Sequence, residues 1–189
     1  GVWRLASQQL RGSARWGAKS LIRFTGMVIL VALLVPACTR DSEASLRVRL
    51  DQWFYLGSTV YFVSNRQCTG AMVSVNVSRP RRSIAVYDNV IAASYAFNND
   101  RVVAVQVADA SPAEVIDIMI QNGSSGFGRQ ALSAVALATS CFEDKLVGGF
   151  VHEALTRKGA ILAFDRESRG LMVLDPSHDR LFFIGSDVW

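Results

Sequence analysis

Polar and apolar positions alternate over Thr59–Val63 and again over Met72–Val77. Both runs are rich in β-branched or aromatic residues, which suit a pleated, half-buried surface. Ser64, Asn65 and Arg66, with Thr69 and Gly70, supply turn residues between them. The pattern predicts two antiparallel strands, with Cys68 at the start of the second. Three short apolar runs close the chain: Ala160–Phe164, Leu171–Leu174 and Leu181–Ile184. Asp165–Gly170 and Asp175–Asp179 separate them with turn-forming residues, which predicts a three-stranded antiparallel meander. Arg101–Ala108 reads as a further strand, apolar enough to be central.

Helical spacing dominates the middle of the chain. Ser111, Pro112 and Glu114 form a start signal: a capping hydroxyl, proline at the first helical position, and a carboxylate that reaches back to the cap amide. This helix should run to Gln121 and stop at Asn122-Gly123. A second is expected from Phe127 to Ser140, and a third from Lys145 to Arg157, interrupted at Gly148-Gly149. Ser83 reads as the cap of another, carried to Phe97 by Val86, Val90, Ile91 and Tyr95 and stopped by Asn98, Asn99 and Asp100. Residues 47–56 fit a strand through Val48 and Leu50, or a helix through Leu50, Trp53 and Phe54. The expected fold class is α+β: an antiparallel sheet with two to four helices packed on one side, forming one globular domain over 47–189.

The chain ahead of this domain has a different character. Residues 1–38 carry Arg4, Arg11, Arg15, Lys19 and Arg23 and no acid. An apolar run from Gly26 to Ala37 follows these charges. As a helix it would measure about 18 Å, short of a hydrocarbon core of roughly 30 Å. A basic segment, a short apolar segment and a small residue at the cut describe an export signal over residues 1–37. Leu34-Val35-Pro36-Ala37-Cys38 resembles the lipobox of bacterial lipoprotein precursors. That resemblance implies that Cys38 is lipidated and becomes the new N-terminus, with residues 38–46 as a short polar tether. It also implies that Thr39, a residue other than Asp after the cysteine, favours the outer over the inner membrane. An uncleaved N-terminal anchor and a plain signal peptide whose Cys38 is incidental are the competing readings.

Charge sharpens the contrast. The full chain has a net charge of +4, but beyond residue 38 it holds 15 basic against 16 acidic residues. The basic character belongs to the leader, so the folded part offers no general attraction to a polyanion, and nucleic acid is not an expected partner. Cys68 and Cys141 remain once Cys38 is lipidated. In an exported domain they read first as a disulfide. Two buried thiols, or a nucleophile served by His152 or His178, are the alternatives.

Candidate chemistry is sparse. The two histidines are 26 residues apart, and His152-Glu153 lacks the second histidine of a zinc-binding helix, so neither metal nor cofactor is expected. Asp175, His178 and Asp179 share one turn and are the candidates for hydrolytic catalysis, although turn chemistry alone selects the same residues. The glycine-rich stretch 122–128 reads as a connection between helices. Trp53, Phe54, Tyr55, Tyr61 and Phe62 form the densest aromatic cluster. Most belong in a core, while alternation turns some to opposite faces, with Trp53, Tyr55 and Tyr61 as candidates for a partner-binding patch. The expected function is a membrane-tethered, non-enzymatic binding or assembly component of the bacterial cell envelope, facing the periplasm and contacting a protein partner there. The alternatives are an envelope hydrolase using His178 with Asp175 or Asp179, and an accessory subunit of an inner-membrane complex.

Overall fold

A computed structural model of the chain describes residues 41–122 and 126–185. The leader, Cys38 and residues 123–125 of the glycine-rich connection lie outside the described residues. In chain order the elements are α1 (Glu43–Leu50), β1 (Tyr55–Ser64), β2 (Thr69–Val77), β3 (Val86–Tyr87), α2 (Val90–Ala96), β4 (Val102–Val105), α3 (Pro112–Gln121), α4 (Gly126–Cys141), α5 (Lys145–Thr156), β5 (Ile161–Asp165), β6 (Gly170–Asp175) and β7 (Arg180–Gly185). The strands form one sheet in the order β1-β2-β7-β6-β5-β4-β3. Every pairing is antiparallel except the short parallel pair β3–β4. The fold is therefore α+β, with the expected hairpin β1–β2 and the expected meander β5–β6–β7.

Strict alternation along the strands divides the core in two. Met72, Val103, Leu162, Phe164, Leu171, Val173, Phe182 and Ile184 face one side, where α2, α3, α4 and α5 cover them. Ala71, Val73, Ala104, Ala163, Met172, Leu174, Leu181 and Phe183 face the other. There they are covered by Leu46 and Leu50 of α1, by Trp53 and Phe54, and by Ile84. The four helices of the first layer lie on one side as expected, and α1 is a fifth element on the opposite face. Residues 43–46, expected as tether, form its first turn. Ser42 caps it by accepting from Ser45 N at 3.1 Å, and Leu46 is buried.

Other boundaries also moved. No helix starts at Ser83, because its hydroxyl donates to the Gln52 carbonyl (2.7 Å) and residues 86–87 extend to pair with β4. Asn89 caps the helix instead, its side-chain oxygen accepting from Ala92 N at 2.8 Å. The strand expected over 101–108 ends at Val105, where the Gln106 side chain turns to donate to the Gly159 carbonyl (2.7 Å). Helix α5 runs unbroken through Gly148 and Gly149. β1 is bulged between Leu56 and Tyr61. A Cβ on Gly57 would meet Ser74 Oγ at 2.5 Å, and Arg47 of α1 clamps the bulge by donating to Gly57 O (2.7 Å) and Thr59 Oγ1 (2.8 Å).

The Ser111 cap is formed as read. Glu114 N donates to Ser111 Oγ at 3.3 Å, and the Glu114 carboxylate accepts from Ser111 N at 2.7 Å and from its hydroxyl at 2.9 Å. Those bonds, the backbone one first, hold the Glu114 carboxyl below its ordinary value of 4.5. A depressed folded-state value means that the charged form stabilises the fold above pH 4.5, and that the benefit fades as pH falls through the folded-state value. Glu114→Gln should therefore be less stable than the parent at neutral pH, with the gap closing in acid. Urea midpoints for both proteins across pH check this; a gap that stays constant or widens in acid contradicts it.

Candidate functional site

The turn carrying Asp175, His178 and Asp179 is best understood beside the turn that precedes it. β6 begins after one and ends before the other, and both are built alike. Asp165 ends β5 fully buried, and Asp175 ends β6 with 2 % exposure. Each carboxylate accepts from the amide two residues on, Glu167 N in one case and Ser177 N in the other, both at 3.0 Å. Its other oxygen binds the side chain three residues on: Ser168 Oγ at 2.6 Å, or His178 Nδ1 at 2.8 Å. A distant arginine balances each charge, with Arg101 Nε 3.5 Å from Asp165 and Arg157 Nε 3.3 Å from Asp175. The fourth residue after each Asp is left-handed, Arg169 with φ 50° and Asp179 with φ 52°.

The Asp175–His178 pair is thus the histidine version of a turn that holds Ser168 at its other occurrence. Asp175 and His178 do come together, but the imidazole has no hydrogen bond at Nε2 among the described residues, and its side chain is 38 % exposed. Asp179 points elsewhere: its carboxylate accepts from the Ser78 hydroxyl and its carbonyl from Val75 N at 2.8 Å. Among the described residues the turn orients one imidazole and aligns no nucleophile with it. Removing either buried carboxylate strands the groups that donate to it, Glu167 N and Ser168 Oγ in one turn, Ser177 N and His178 Nδ1 in the other. Asp165→Ala and Asp175→Ala should each cost about 1–3 kcal/mol in urea unfolding, against under about 1 kcal/mol for the half-exposed His178→Ala. A loss for His178→Ala matching that of Asp175→Ala would contradict the turn reading.

Cys68 and Cys141 form a disulfide, with Cα atoms 5.9 Å apart. It joins the residue before β2 to the last residue of α4. Both sulfurs are spent in the bridge, so neither is a free thiol and neither can be a nucleophile for His152 or His178. His152 is exposed on α5. Tyr61 packs its ring on Phe142 (centroids 5.7 Å apart) and donates its hydroxyl to the Cys141 carbonyl at 3.4 Å. Burial, then the carboxylates of Glu143 and Asp144, push its phenol above the ordinary 10.0, so it stays a donor. The remaining aromatics split across the sheet as alternation demands. Tyr61 packs against the helix-covered core and Phe62 against the other. Trp53 is only 6 % exposed, which removes it from any partner-binding patch. Tyr55 is half-buried beneath the Arg81 guanidinium, 4.2 Å from its ring centroid.

A cleft of about 570 Å³ opens at the end of β6 opposite the Asp175–His178 turn. Asn99, Arg101, Gln130, Arg166, Glu167 and Arg169 line it. Arg101 binds Glu167 through Nε at 2.7 Å and lies over the Trp53 ring at 5.5 Å. Arg166 donates through Nη1 to the carbonyls of Asn98 (3.0 Å) and Asp100 (3.5 Å) and lies over Phe97 at 5.4 Å. Arg169 is exposed and makes no hydrogen bond or ion pair with any described residue. Reading the sequence missed this group, because Arg166 and Arg169 look like ordinary turn residues and Arg101 stands more than sixty positions away. Their spacing within one turn was the only local signal.

Among the described residues no cluster of His, Cys, Asp and Glu could hold a metal ion, and no helix is long and apolar enough to cross a membrane. No family model, no curated protein and no solved structure matches the chain.

Proposed function

We propose that the chain is an exported bacterial lipoprotein, tethered through Cys38, whose α+β domain acts by binding another component of the cell envelope rather than by catalysis. The observation that carries the reading is the buried Cys68–Cys141 bridge, since structural disulfides persist in oxidising compartments and not in a reducing cytoplasm. The lipobox-like Leu34–Cys38 supports the same route across the membrane. Intact mass of the full chain extracted from membranes tests both parts. The expected species begins at Cys38, carries acyl chains and lacks the two hydrogens lost to the bridge. Cys38→Ser should accumulate as an unprocessed precursor. A mass retaining residues 1–37 would favour an uncleaved anchor in an inner-membrane assembly, and a chain with every thiol open to alkylation would overturn the reading.

The hydrolase alternative draws on the 2.8 Å contact between His178 Nδ1 and Asp175. It requires that His178→Ala abolish the phenotype of the intact gene while leaving the protein folded. A variant that complements fully removes it.

A further inference from the structure

We propose that the arginine cleft seats the phosphate of an anionic lipid headgroup in the bilayer that carries the chain; this rests on the reading of Cys38 as the tether. The sheet register places the cleft and the start of the domain at the same end. One row of partners crosses the sheet from Ser64 to Thr69, Gly185, Gly170, Asp165 and Val102. Arg101 directly precedes that row, and the turn bearing Arg166 and Arg169 closes it between β5 and β6. Asp41 is fixed to the row's first member, its amide donating to Ser64 Oγ at 3.2 Å and its carboxylate paired with Arg49 at 3.1 Å. Three to four strand spacings, about 14–19 Å, separate Ser64 from the arginine turn. Cys38 stands three residues before Asp41, at most about 10 Å of extended chain. A lipid on Cys38 therefore keeps this end of the sheet within reach of the headgroups.

The cleft has the chemistry to use that proximity. It presents three guanidinium groups against two carboxylates, exposed Glu167 and buried Asp165, both of which Arg101 meets through Nε. Among the described residues, both Nη groups of Arg101, Nη2 of Arg166 and the whole Arg169 guanidinium have no partner and are left to donate. Planar guanidinium groups match phosphate oxygens in pairs, and stacking on Trp53 and Phe97 holds two of them in place. Exposed Arg66, in the turn between β1 and β2, adds a cation at the same end. Attachment through Cys38 turns headgroup binding into an intramolecular event, so weak individual contacts suffice.

The test uses the full chain reconstituted into vesicles of phosphatidylcholine alone or of an equal mixture with phosphatidylglycerol, reading hydrogen exchange at residues 98–101 and 166–169. Exchange should slow roughly fivefold or more on the anionic vesicles, as expected from one basic side chain at a charged surface. It should not slow on the neutral ones, and the protection should vanish in Arg166→Gln/Arg169→Gln, whose circular dichroism and disulfide stay as in the parent. Equal protection on both vesicle types, or protection that survives the double substitution, overturns the proposal. Full protection by inorganic phosphate in detergent, with nothing added by anionic vesicles, also overturns it and assigns the cleft to a free anion. Flotation of the same samples separates the two readings. A chain that floats on both vesicles keeps its tether whatever the cleft does, whereas one that floats on neither and carries no acyl mass brings down the tether and the headgroup site together.

Discussion

Replacing Cys68 and Cys141 together by alanine is expected to cost about 4 kcal/mol, because the bridge closes a loop across 73 positions and removes that much freedom from the unfolded chain. For a domain of this size the loss corresponds to a fall of roughly 8–16 °C in the thermal midpoint. Alanine is the cleaner substitution, since serine would bury two hydroxyls where both sulfurs are now fully shielded from water. The native contacts around the bridge argue for a local effect as well. The end of α4 sits hard on β2: a Cβ on Gly70 would lie 3.2 Å from both Cys141 Cβ and the Phe142 ring. Tyr61 adds its hydrogen bond to the Cys141 carbonyl. Without the bridge, amides of the last turn of α4 and of Phe142 should exchange faster than those of the β5–β6–β7 meander. A thermal shift under about 3 °C would mean that the unfolded chain gains little from being cut loose, contrary to the loop-closure account.

The parts legible in the sequence are those whose cause is local. The hairpin declares itself through period-two alternation, the meander through short unbroken apolar runs, and both through the turn residues between them. The α3 cap declares itself because Ser111, Pro112 and Glu114 act only on one another. α1 stayed hidden because Leu46 and Leu50 alone turn inward, while Arg47, Val48 and Arg49 fill the places between and blur the period. β3 consists of two residues inside a stretch that reads as helix, and only its pairing with β4 makes it a strand. The site residues divide in the same way. Asp175 and His178 meet because one turn brings them together. The burial of Asp175 and its balance by Arg157 depend on the fold, as does the meeting of Arg101 with Arg166 and Arg169.

The two-sided burial of the sheet narrows where function can reside. β5, β6 and nearly all of β7 are buried along their whole length. A partner that acts on this domain must therefore engage the ends of the strands, the outer surface of the helices, or one of the two edges, bulged β1 or short β3. The two ends differ in chemistry. One bears an oriented imidazole over a buried carboxylate, the other a cleft of guanidinium groups at the β5–β6 turn.

Phe164→Ala is expected to be as damaging as loss of the bridge, by roughly 3–5 kcal/mol. Phe164 lies on β5 with no exposure and meets two rings of the helix layer: Phe97, at the end of α2, with centroids 5.8 Å apart, and Phe127, at the start of α4, at 6.1 Å. Phe97 and Phe127 are themselves stacked at 4.9 Å. Truncation leaves a ring-sized cavity between two helices and a strand, and a buried sheet has little freedom to collapse into it. Phe164→Leu, which restores most of the volume, should recover much of the loss. Urea unfolding of the three proteins decides the matter; a loss under about 1.5 kcal/mol for alanine would show that the site collapses and that the rings are not an anchor. The first turn of α4 is held by Phe127 and the last by Cys141, about 21 Å apart along the helix. Sites so separated should add nearly independently, so removing Phe164 and the bridge together would cost about 8 kcal/mol. That approaches or exceeds the whole stability of an ordinary domain, and the combined variant should not hold a native fold at 37 °C, the growth temperature of many hosts.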